Sequence, residues 1–101
     1  MAATSRRFTL LEKPTYKVDL EYNEQFAILH LPLVAKFDRD VYWDMVNTIE
    51  DIAGFLHDMH YTHLWTAIEP ENKPTNKLMS RLGFELQGEG EGMNVYMKEI
   101  T

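Results

Sequence analysis

The chain has 101 residues, 10 Lys and Arg against 16 Asp and Glu, a net charge of −6 and no cysteine. That length holds one domain with a core of its own. The missing cysteine excludes a disulfide framework, a thiolate zinc site and a cysteine nucleophile, and the acidic balance argues against nucleic-acid binding.

Residues 1–7 are small and polar and read as a flexible tail, ahead of a single domain over 8–101. No apolar signal core follows Arg6 and Arg7, and no apolar run approaches the roughly 20 residues that cross a bilayer. A cytoplasmic protein without membrane contact is expected. Phe8–Leu11 suits a short strand that Pro14 ends. From Tyr16 to Tyr22 apolar and charged residues alternate strictly, which predicts a strand with one wet face. Asn23-Glu24 sits where a two-residue hairpin turn belongs. Phe26–Leu33 reads as a more buried strand with Pro32 at its end or at a bulge.

The period then changes. Val41, Tyr42, Met45, Val46, Ile49, Ile52, Ala53, Leu56 and Met59 form the apolar stripe of a long helix. Asp38 and Asp40 suit its N-terminus, and Gly54 inside the pattern suggests a close contact. His63–Ile68 predicts a strand parallel to the one before the helix. Asn72 is the expected N-cap of a short helix over Thr75–Leu82, with Gly83 as a left-handed C-cap. Phe84–Gln87 and Met93–Ile100 are the last strands, with Gly88–Gly92 as a flexible connection. The order is (β)-β-β-α-β-α-β-β, a mixed α/β (α+β) class.

Leu64-Trp65-Thr66-Ala67-Ile68, Asn72-Lys73-Pro74-Thr75 and Leu82-Gly83-Phe84-Glu85 resemble the C-terminal half of the GNAT N-acetyltransferase superfamily. The eleven residues from Asn72 to Gly83 match the family spacing, and the resemblance covers roughly residues 25 to 100. It implies a truncated GNAT-like fold with a mixed, mostly antiparallel sheet. The Leu64-Trp65 pair with Asn72 and Gly83 particularly resembles a compact form in small internal virion proteins of short-tailed phages. That implies phage origin, with the virion or host cytoplasm as its place.

Two departures stand against the family's chemistry. The resemblance implies a Gly-rich, pyrophosphate-binding turn before the long helix, but Val34–Val41 contains no glycine and carries Asp38 and Asp40. Met79 stands where the family often has a tyrosine general acid, and a thioether donates no proton. The segment before Tyr16 is also short for the family's first helices. The first expectation is therefore a non-catalytic GNAT-like protein without a cofactor that binds another protein, a phage or host component. The alternative is an acetyl-CoA-dependent N-acetyltransferase. The resemblance then implies cofactor contacts at Leu33, Val34, Lys36, Arg39 and Asn72, and Glu69 is the best candidate base. A third reading is an acidic inhibitor that mimics nucleic-acid charge.

Other residues have ordinary roles available. His57, His60 and His63 step by three, but the last falls beyond the helix, so a helix-end role is favoured over a metal site and no metal ligand is assigned. His30 suits a hydrogen-bonded core or rim position better than a base. Glu69 and Glu71 around Pro70 suit solvated loop carboxylates as well as a base. Trp43, Trp65, Tyr42, Tyr61 and Tyr96 are expected mostly in the core, as are the methionines.

Overall fold

A computed structural model describes residues 6–34 and 38–100, with the backbone alone for 32–34. The alternating segment forms β2 (Tyr16–Tyr22), which pairs antiparallel with β1 (Arg6–Glu12) on one side and β3 (Ala27–Val34) on the other. β1 therefore opens two residues ahead of the predicted strand. The β2–β3 connection is a four-residue loop rather than the expected two-residue turn. Asn23 closes it: its side-chain oxygen accepts from the backbone N–H of Gln25 (2.8 Å) and Phe26 (3.0 Å). The β2–β3 register shifts between His30 and Leu33, so Pro32 lies in a bulged stretch, as a residue without an N–H should.

The helical stripe forms α1 (Arg39–Asp58), whose buried side is Val41, Met45, Ile49, Ile52 and Leu56. Two expectations for it fail. Met59 lies past the last turn and is 46% exposed, and Gly54 has open space where a Cβ would stand, so no close contact explains it. Then come β4 (His63–Ile68), α2 (Lys73–Arg81), β5 (Glu85–Gly90) and β6 (Met93–Glu99). The glycine-rich segment is mostly strand. Only Glu91 and Gly92 form the hairpin turn, both with positive φ (54° and 78°).

The sheet order is β1-β2-β3-β4-β6-β5, and among the described residues β3–β4 is the one parallel pair. Residues directly opposite share a face, so Leu20, Leu29, Thr66 and Tyr96 line one side. Tyr16, on that same side, reaches α1: its hydroxyl donates to Asp44 Oδ2 at 2.5 Å. Tyr96 reaches α2, donating to Asn76 Oδ1 at 2.7 Å. Both helices therefore cover the same face. The core between the layers contains Val18, Leu20, Leu29, Met45, Leu56, Leu64 and Met79, each at most 1% exposed.

On the other face β2 presents Lys17, Asp19 and Glu21, as the alternation predicts. Asp19 is nevertheless buried, because Arg7 (3.0 Å) and Thr9 (2.9 Å) donate to its carboxylate from β1. Desolvation opposes its charge, but these hydrogen bonds outweigh it and hold the carboxyl below the usual range. Trp43, expected in the core, is 54% exposed on the outside of α1.

Candidate functional site

β3 and β4 are hydrogen-bonded through Ala27–Leu64, Ile28–Trp65 and Leu29–Thr66. Beyond that rung β3 runs on to Val34 and β4 to Ile68 without pairing to each other. Buried Thr66 ends the ladder by donating its hydroxyl to the Leu29 carbonyl at 2.7 Å. The two strands thus part at their C-terminal ends, the position where ligands settle in parallel α/β units. Both helices begin on this side.

A groove of about 480 Å³ lies between the start of α1 and the length of α2. Its walls carry Arg39, Lys77 and Arg81 against one carboxylate, Asp38. Among the described residues, three positive groups and one negative leave a cationic groove on an acidic protein. Tyr42 ties its walls together, donating its hydroxyl to the Arg81 carbonyl at 3.3 Å. Lys77 and Arg81 escaped the sequence reading. Their spacing of four puts them on one side of α2, but only tertiary structure brings that side to Arg39.

Asp38 is the N-cap of α1, and its Oδ1 accepts from the Val41 N–H at 2.9 Å. The carboxylate thereby occupies a donor that an anion would need. Asp40 lies in the first turn. Of the proposed cofactor contacts, Arg39 lines the groove. Leu33 and Val34 belong to the unpaired end of β3 on its β4 side, and Lys36 lies outside the described residues. Asn72 caps α2, accepting from the Thr75 N–H at 3.4 Å.

Glu69 follows β4 and is exposed; its backbone carbonyl accepts from the Asn72 N–H (3.0 Å) and the Asn76 side chain (2.9 Å). Its carboxylate is not part of the groove wall. Met79 is fully buried, so its thioether belongs to the core and not to the groove.

His30 Nε2 is 2.9 Å from Glu21 Oε1, so of the hydrogen-bonded core and rim positions expected for it the structure gives the half-buried one. His57 is exposed in the last turn of α1, and His60 lies past it with φ 71°. Among the described residues no group of three or more His, Cys, Asp or Glu could hold a metal ion. No helix there is long and apolar enough to cross a membrane.

No family model and no curated protein matches the sequence. Among solved structures the chain is similar to the crystal structure of a "putative acetyltransferase from Sphaerobacter thermophilus DSM 20745". The TM-score is 0.56 at 15% identity, over 94% of this chain and 66% of that one. The likeness shows the fold: a compact GNAT-like arrangement of a six-stranded, mostly antiparallel sheet with two helices.

Proposed function

We propose that this protein is a non-catalytic GNAT-like domain that acts by binding another protein. The observation that carries the reading is the Asp38 cap on the Val41 N–H, a fixed carboxylate where the resemblance implies pyrophosphate. The burial of Met79 supports it, since the position the family often gives to its general acid is part of the core. With the phage origin that the sequence resemblance implies, the partner is a virion or host protein.

The second reading, an acetyl-CoA-dependent N-acetyltransferase, is favoured by the parting of β3 and β4 and by Arg39, Lys77 and Arg81. On it, the free edge of β3 would take the pantetheine amides and the three cations would take phosphate. Glu69 would be the base that deprotonates an amine.

Calorimetric titration with acetyl-CoA separates the two. No heat of binding at about 1 mM cofactor is expected, a free energy weaker than about −4 kcal/mol. A Kd near 10 µM that Lys77→Glu with Arg81→Glu abolishes would overturn the non-catalytic reading. Glu69→Gln would then be the control in an amine-acceptor screen.

A further inference from the structure

We propose that the helix-free face of the sheet docks a basic amphipathic helix of a partner protein, an inference that rests on the protein-binding reading and deepens it. Both helices cover one face, so among the described residues no layer lies over the opposite face of β3, β4 and β6. Cross-strand pairing sets Ile28, Trp65 and Met97 in one row there, with Ala67 beside Val95 in the next. Ala67 is exposed and the other four are half-buried. Phe26, 36% exposed, and Met93 close the two ends of a trough of about 630 Å³ that holds most of this row. A contiguous apolar surface around a tryptophan marks an interaction site.

The dimensions fit one helix. The row spans three strands, two spacings of about 4.8 Å, hence about 10 Å. A helix with its side chains is about 10–12 Å across. The flexible thioethers of Met93 and Met97 would adapt to the side chains of the occupant.

Charge sets which helix. Glu91 lines the trough, Glu85 pairs with Met97, and Glu99 pairs with His63; all three glutamates are exposed. Among the described residues the Lys and Arg of this face lie toward β1 and β2, where Arg7 is bound to Asp19 and Lys17 pairs with Glu12 and Leu33, and His63 is the one basic side chain that lines the trough. A second copy would set these glutamates against their own counterparts, on chains that each carry −6. An apolar stripe flanked by Lys or Arg meets both the row and its rim.

The test uses the full chain and two synthetic 18-residue helical peptides, one of Leu and Lys and one with Glu for every Lys. Binding is followed by Trp65 fluorescence in a Trp43→Phe background. The Leu/Lys peptide is expected to bind, and the Leu/Glu peptide to bind at least tenfold more weakly. Ala67→Lys, a change at an exposed site, should weaken the Leu/Lys peptide about tenfold or more with circular dichroism unchanged. The triple change Glu85→Lys, Glu91→Lys, Glu99→Lys should do the same.

No binding, equal binding of the two peptides, or binding indifferent to Ala67→Lys would overturn the proposal. A concentration-dependent dimer abolished by Ala67→Lys would overturn it in favour of a second copy. Acetyl-CoA binding would remove the non-catalytic reading while leaving the peptide result to stand or fall by itself.

Discussion

Asn76 holds α2 to the sheet, and its removal should cost more than any single contact suggests. Its Nδ2 donates to the carbonyls of Glu69 (2.9 Å) and Asn72 (2.8 Å). Its Oδ1 accepts from Asn94 Nδ2 (3.0 Å) and the Tyr96 hydroxyl (2.7 Å). The first two bonds are exposed, and water replaces them at little cost. Tyr96 is different: it is 4% exposed, and burial already pushes its hydroxyl toward the neutral form. Asn76→Ala leaves that hydroxyl without its partner. An unpaired buried polar group costs about 1–3 kcal/mol, and each ordinary hydrogen bond contributes on the order of 1 kcal/mol. The expected loss is about 2–3 kcal/mol, mostly through Tyr96.

In a chain of this size that lowers Tm by roughly 10–20 °C. Tyr96→Phe removes the same bond from the other end and should cost about 1 kcal/mol, because Asn76 Oδ1 keeps Asn94. Urea unfolding of the two variants and their double should show a coupling of about 1 kcal/mol. A loss under about 0.5 kcal/mol for Asn76→Ala, or strict additivity with Tyr96→Phe, would refute this account.

Acid should destabilise the fold through two carboxylates. Hydrogen bonds from Lys13 and then Tyr16 lower the Asp44 pKa, and Asp19 is lowered by Thr9 and Arg7 against its own desolvation. A depressed folded pKa gives stability above the ordinary value of 3.8 that is lost as pH falls through the folded pKa. Thermal melts should therefore hold steady down to about pH 5 and drop below about pH 4, with a shallower drop in Asp19→Asn plus Asp44→Asn. An unchanged slope in the double variant would be contrary. Gly83 sits at φ +90°, and a Cβ there would stand 2.7 Å from Lys98 Nζ. Gly83→Ala should cost more than about 1 kcal/mol, with Lys98→Met recovering only the steric part. Asp38→Ala should cost about 1 kcal/mol of chemical stability while Asp38→Ser costs little, since serine also caps a helix. Equal losses in the two would mean that Asp38 acts by charge alone.

The local order of this chain was legible because it is written in short-range patterns. Strict alternation over Tyr16–Tyr22 delimits β2, and the helical period with Asp38 ahead of it marks α1, overrunning its end only at Met59. Asn72 and Gly83 bracket α2 for the same reason: caps are set by backbone groups a few residues away. The glycine-free Val34–Val41 stretch and Met79 were also visible in the sequence, and the family resemblance gave them their meaning.

Contacts across the sheet were not legible. Asp19 reads as a solvated charge until β1 brings Arg7 and Thr9 to it, and Trp43 reads as core until α1 turns that side outward. Lys77 and Arg81 become groove walls only when α2 lies beside the first turn of α1. The half-buried apolar row of Ile28, Trp65 and Met97 comes from three strands distant in sequence. Periodicity says which residues share a side of one element. Which sides meet, and which remain uncovered, is decided by sheet order and by the two helices packing on one face.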